Sequence, residues 1–141
     1  MIFVDANCYL RYLTEPATPQ DRINQQRARA LFELVNAGVV EVTTSDAVLA
    51  EVVFILTSPR HYDGERMLAA ASLKSLLRQR GCRMPAIDAS LLALDVWVDH
   101  PKLSFPDALS AASSMSRGYE LATFDGPLSR TPKVRNYAFE D

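Results

Sequence analysis

Ile2-Phe3-Val4, followed directly by Asp5-Ala6-Asn7, forms an unbroken apolar run that ends on a carboxylate. The run contains β-branched and aromatic residues and no polar alternation. That pattern predicts a strand buried on both faces, as in a parallel sheet covered by helices. Asp5 stands where such a strand runs out, and open α/β sheets gather ligand chemistry outside the carboxyl ends of their strands. Asp5 also suits the N-cap of a helix over Cys8-Tyr9-Leu10-Arg11-Tyr12-Leu13, and taken alone the cap is the plainer reading. Three further acids in matching places change that balance.

Beyond this opening, Glu15-Pro16-Ala17-Thr18-Pro19 reads as a loop, and a helix is predicted over residues 20–37. Ile23, Ala30, Leu31, Leu34 and Val35 form its expected inner face, and Gly38 its stop. Residues 39–44 are rich in β-branched side chains and predict a second strand. Ser45 or Asp46 then caps a helix over residues 47–56 that is apolar almost all round and is expected to be largely buried. Glu51 is the only charge in that helix, beside Val48 and Ile55 at the edge of the apolar arc. A buried glutamate must snorkel to water, pair with a cation or bind a metal ion. Thr57 to Gly64 forms a loop, and Glu65 to Arg80 an amphipathic helix with Leu68, Ala71, Ser72, Leu73, Leu76 and Leu77 inward, ending near Gly81. Arg83 to Ile87 is at best a short strand, restricted by Pro85.

In the second half, Asp88 is the expected cap of a helix running to about Asp99, with Leu91, Leu92, Leu94, Val96, Trp97 and Val98 in the core. His100 to Leu103 connects it to a helix of small residues, opened by Ser104-Phe105-Pro106-Asp107 and stopped by Gly118. Ser104 and Asp107 have the spacing of a capping box, which is the structural reading of Asp107. Leu121-Ala122-Thr123-Phe124 predicts another buried strand, and Asp125-Gly126-Pro127 after it is also ordinary turn chemistry. Val134 to Phe139 supplies a last strand.

Strand and helix alternate along most of the chain, so the expected architecture is one α/β domain over residues 1–141 with a parallel sheet and helices on both faces. At 141 residues, 48% apolar and 23% charged, the composition is that of a soluble globular protein with room for a core. No apolar run reaches bilayer length, and no secretory signal pattern opens the chain. Cys8 and Cys82 make neither a disulfide framework nor a zinc-ligand spacing, which fits a reducing cytoplasm; Cys8 is expected in the core. A net charge of −2 argues against a simple basic nucleic-acid binder. It is compatible with a nuclease whose acidic metal site offsets the scattered basic residues Arg60, Arg66, Lys74, Arg78, Arg80, Arg83, Lys102, Arg130, Lys133 and Arg135, most of them expected on a solvated surface. No Gly-rich phosphate loop is present, and His61 and His100 lie in loops without a nucleophile elbow.

Asp5 and Asp125 thus follow predicted strands, Asp107 opens the helix before the last of those strands, and Glu51 lies on the helix after strand two. Each has a structural reading of its own. Clustered carboxylates raise one another's pKa unless a cation neutralises them. Oxygen donors without His or Cys favour magnesium or manganese. A metal ion so held can activate water, orient a phosphate and stabilise a leaving oxygen, which is what phosphodiester hydrolysis requires.

The quartet Asp5, Glu51, Asp107 and Asp125, in the contexts Val-Asp-Ala-Asn, Leu-Ala-Glu-Val, Phe-Pro-Asp-Ala-Leu and Thr-Phe-Asp-Gly, resembles a PIN domain. Chain size and the run Thr57-Ser58-Pro59-Arg60-His61-Tyr62 resemble the VapC toxins of VapBC toxin–antitoxin pairs. The resemblance covers essentially the whole chain. It implies a three-layer α/β/α fold with a central, mainly parallel sheet, and a Mg2+- or Mn2+-dependent endoribonuclease acting on structured RNA. It further implies a homodimer and a VapB-like antitoxin that blocks the site. The quartet would supply the catalytic and metal-binding acids, with Asn7 and Thr123 as supporting polar residues, the Thr123 hydroxyl holding a carboxylate. Gly126-Pro127-Leu128-Ser129 stands where the family often carries further acidic or polar residues, so no metal ligand is expected from that segment and Asp125 carries more of the weight. The rival from another class is an inactive PIN-like module that binds RNA or serves as a scaffold. A nuclease acting on DNA flaps differs from the main reading only in substrate.

Overall fold

The computed structural model describes residues 1–140, which carry seven helices and four strands. The chain divides into two compact units, Met1–Pro85 and Ala86–Asp141.

In the first unit, β1 (Ile2–Phe3) pairs in parallel with β2 (Val42–Thr43), Ile2 opposite Val42 and Phe3 opposite Thr43. The Val4 N–H donates to the Thr43 carbonyl at 2.9 Å, and the buried Thr44 hydroxyl donates to the Val4 carbonyl at 2.9 Å. A parallel bridge joins Val42 to Cys82, so the strand-like contact expected near Arg83 falls one residue earlier. The expectation of a strand buried on both faces needs correction. Val4 is buried, but Ile2 is 43% and Phe3 58% exposed. Such a short strand pair offers too little surface for helices to cover both sides.

α1 (Ala6–Leu13) turns Ala6, Tyr9 and Leu10 inward and leaves Cys8 half-buried, not in the core as expected. α2 (Pro19–Asn36) starts on Thr18, whose hydroxyl accepts the Asp21 N–H at 3.0 Å, with Pro19 in the first turn. It ends as the sequence predicts. Gly38 takes φ +75°, and the Gly38 and Val39 N–H groups donate to the carbonyls of Val35 and Leu34. Its inner face differs from the expected one: Ala28, Phe32 and Val35 are buried, while Ile23 and Leu34 are exposed. Phe32 sets the rotation, because its ring packs 5.4 Å from that of Tyr9 and 5.0 Å from that of Tyr12. α1 packs on α2, and the Gln25 side-chain amide ties the two by donating to the carbonyls of Arg11 and Thr14.

α3 (Asp46–Leu56) is capped by Ser45, whose hydroxyl accepts the Val48 N–H at 3.3 Å. It packs on α1 and buries Leu49, Val52, Val53 and Leu56. The helix is therefore not buried all round: Phe54 is 79% exposed, and Glu51 is exposed on the side away from the four buried residues. α4 (Arg66–Leu77) buries Ala69, Ala70, Leu73, Leu76 and Leu77, whereas Leu68 and Ala71 face out. Its three inward leucines and two alanines share one stripe, and Leu68 falls beside it. Gly81 is demanded by close packing, since a Cβ there would lie 2.1 Å from the Val40 carbonyl oxygen and 2.9 Å from that of Val35.

In the second unit, α5 (Ile87–Asp99) begins after Ala86, which adopts φ +53° and occupies the cap position. Asp88 thus sits within the first turn, not at the cap as expected. α5 packs on α6 (Phe105–Arg117). Ala108, Ala111 and Ala112 are fully buried, small enough for the helices to approach, and the Trp97 and Phe105 rings meet edge-to-face at 5.9 Å. Gly118, at φ +67°, ends α6 as predicted. β3 (Glu120–Leu121) pairs in parallel with β4 (Arg135–Asn136), and α7 (Gly126–Ser129) lies between them in sequence. The buried strand expected over residues 121–124 is shorter and more exposed. Pairing stops at Leu121, where the chain enters the Thr123–Asp125 turn, and Phe124 is 89% exposed with its ring stacked 4.5 Å from Phe139.

The chain is an α/β protein with parallel strand pairing. Among the described residues that pairing forms one two-stranded sheet in each unit, where the sequence suggested a single central sheet. Among them, no helix is long and apolar enough to cross a membrane.

Candidate functional site

Asp5 and Glu51 belong to the first unit. Asp5 occupies the N-cap position of α1 with extended backbone, yet its carboxylate makes no hydrogen bond to the helix. The capping role therefore does not consume it, and the side chain is exposed. Its charge is felt at Cys8, whose thiol is pushed up first by burial and second by Asp5. Asn7 is exposed in the first turn and lines, with Cys8, Arg11 and Arg27, a pocket of about 370 Å³ between α1 and α2. Glu51 sits midway along α3, the helix that packs on α1, and it is not the buried glutamate the sequence suggested. A carboxylate on that outer side keeps its hydration without a partner.

Asp107 and Asp125 belong to the second unit. Ser104 caps α6 by accepting the Asp107 N–H at 3.2 Å. Only this half of the capping box forms. Among the described residues the Asp107 carboxylate is not drawn back to the Ser104 N–H, and it stays half-exposed at the helix start. Asp125 caps α7, one carboxylate oxygen accepting the Leu128 N–H at 2.8 Å. Thr123 lies two residues earlier, and its hydroxyl accepts the Asp125 backbone N–H at 3.0 Å. The supporting contact of Thr123 is thus to the backbone of the acid, not to its carboxylate.

Each unit carries two of the four acids. Among the described residues, neither unit by itself gathers three His, Cys, Asp or Glu side chains into a group able to hold a metal ion. The donor types are all carboxylate oxygens, the chemistry that suits magnesium or manganese. One feature of the second unit was not apparent in the sequence. The Arg130 guanidinium lies over Gly126, its Nη1 only 2.9 Å from where a Cβ would stand. A glycine four residues before an arginine, directly after Asp125, was the available signal.

The chain matches the PIN domain family over residues 2–134. No curated protein matches it.

Proposed function

The chain belongs to the PIN domain family, and on that premise we propose that it is a magnesium- or manganese-dependent endoribonuclease of the VapC toxin type. PIN domains are generally metal-dependent nucleases that act on RNA or other nucleic acid. The extent of the family match carries the reading, since residues 2–134 take in Asp5, Glu51, Asp107 and Asp125 together with Asn7 and Thr123. The match also crosses both units, which favours one PIN domain with the three-layer α/β/α arrangement over two independent modules.

Under this reading Asp5, Glu51, Asp107 and Asp125 are the metal-site acids. Helix capping leaves the carboxylates of Asp5 and Asp107 unused and takes one oxygen of Asp125. A magnesium or manganese ion held by these acids would supply water activation and charge stabilisation at the phosphate. Ser104 holds the first turn that presents Asp107, Thr123 holds the turn that presents Asp125, and Asn7 stands two residues after Asp5 as a supporting polar residue of the site. The protein's substrate is structured cellular RNA, it acts as a homodimer in the cytoplasm, and a VapB-like antitoxin occludes the site.

Purified protein incubated with total cellular RNA and with RNA and DNA oligonucleotides of one sequence tests the activity. Cuts at discrete RNA positions that need Mg2+ or Mn2+ and vanish with chelator are expected. Cleavage of DNA alone would assign a different substrate, and absence of any cleavage by folded, antitoxin-free protein would favour an inactive RNA-binding module.

A further inference from the structure

The turn after α5 and the helix α7 enclose a pocket of about 280 Å³ in the second unit. His100, Lys102 and Arg130 line it, with Asp99 as the carboxylate among its lining residues. Lys102 and Arg130 are exposed, His100 is half-buried, and among the described residues none of the three is held in an ion pair. Their backbone is well anchored. Leu103 is 1% exposed and its N–H donates to the His100 carbonyl, while the buried Thr131 hydroxyl donates to the Pro127 carbonyl at 3.1 Å. Two basic side chains and an imidazole therefore line one concavity on an anchored backbone, against a single carboxylate. Its volume falls just short of the ~300–1,000 Å³ typical of sites for whole small molecules, and suits one charged group better than a nucleotide.

The segments that wall the pocket adjoin two of the acids, Asp107 in the helix that follows the turn and Asp125 at the cap of α7. Lys102 precedes Asp107 by one turn and the Ser104 cap, and Arg130 lies over Gly126, next to Asp125. α6 and α7 pack against each other. With no side chain at Gly126, the Arg130 guanidinium occupies the space a Cβ would take, and Arg130 lines the pocket. Fixed cations of this kind position a nucleic-acid backbone without reading its bases.

We propose that this pocket binds a backbone phosphate of the RNA strand, one beside the phosphate being cut, with Lys102 and Arg130 as its charged ligands and His100 as a further donor. The inference rests on the nuclease reading above and adds to it the point where the strand is gripped. A phosphate held here fixes the strand relative to Asp107 and Asp125 while leaving the chemistry to the acids. Because the contact is to the backbone, it is indifferent to sequence.

Equilibrium binding of a labelled RNA to the full chain in chelator, measured over a salt series, tests this. Lys102→Gln and Arg130→Gln should each weaken binding by roughly tenfold, as expected for loss of a charge-assisted bond. The slope of log affinity against log salt should fall by about 0.7 in the Lys102→Gln/Arg130→Gln double variant, the contribution of the one single-strand phosphate, and by part of that in each single variant. Arg130→Lys should restore most of the slope. Inorganic phosphate should compete with RNA on the wild type beyond chloride of equal ionic strength, and lose that advantage in the Lys102→Gln/Arg130→Gln double variant. Unchanged affinity and slope in both variants, in a protein whose wild type binds and cleaves RNA, would overturn the pocket and leave the nuclease reading intact. A wild type that neither binds nor cleaves RNA would overturn both.

Discussion

The hydroxyl of Thr123 accepts the backbone N–H of Asp125 at 3.0 Å, and the Asp125 carboxylate in turn accepts the Leu128 N–H at 2.8 Å. The two bonds form a short relay that ends β3 pairing, starts α7 and sets the direction of the acid. Thr123→Val keeps the shape and the β-branch and removes only the hydroxyl. It should reduce RNA cleavage on the order of three- to tenfold, while stability falls by only about 0.5–1.5 kcal/mol, the usual worth of one such bond. Steady-state cleavage and urea unfolding of the same preparation check this. Full activity in the variant would show that the turn holds Asp125 without the hydroxyl.

Phe32 is the side chain on which the first unit's helices agree. It is 2% exposed, and its ring meets those of Tyr9 and Tyr12. Phe32→Ala should cost about 3–5 kcal/mol through lost burial and an unfilled cavity. Urea denaturation of the variant against wild type measures it. A loss under about 1 kcal/mol would mean that the α1–α2 contact is looser than its geometry indicates.

Much of this arrangement could be read from the chain. The stops at Gly38 and Gly118 and the cap at Ser104 are local chemistry and stand where the sequence puts them, and of the two caps open for α3 the structure uses Ser45. Which side of a helix faces inward was less legible. α2 carries apolar residues on more than one side, and the partners of Phe32, not periodicity, select the buried one. Leu68 and Glu51 face solvent against the sequence expectation for the same reason: an apolar arc does not say how much of itself a neighbour covers. Strand lengths were overestimated because β-branched runs at residues 39–44 and 121–124 continue past the last ladder hydrogen bond into turns. The order of the four acids is visible in the chain. Their grouping is not, because it depends on placement over separations of 46, 56 and 18 residues that no periodicity encodes.

Stability should fall in alkali. Burial pushes the Tyr9 phenol well above its usual range, with the nearby Cys82 and Cys8 thiols adding to the rise. Burial also raises the Cys8 and Cys82 thiols. The folded state therefore holds these protons to higher pH than the unfolded chain, so it binds more protons in that window and stability declines as pH rises. Their contribution is fully present below about pH 9 and is lost progressively above it, the cysteines first and the tyrosine later. Thermal unfolding from neutral pH to pH 11 should show a falling midpoint, with a shallower fall in Tyr9→Phe at the alkaline end. A midpoint independent of pH in that range would contradict the burial of these groups.

Whether Asp5 serves the chemistry is decided by the RNA cleavage rate of Asp5→Asn beside wild type, in Mg2+, in Mn2+ and in chelator, with unfolding curves of both proteins. Asp5 makes no capping bond to α1, so the substitution should leave stability within about 0.5 kcal/mol of wild type, as for a surface site. Its negative charge is the feature removed. Metal-dependent cleavage by wild type and a loss of at least about a hundredfold in an equally stable Asp5→Asn protein is the predicted result, given what removal of one charge-stabilising group does in an active site. An Asp5→Asn protein that cuts RNA as fast as wild type would contradict the metal-site reading.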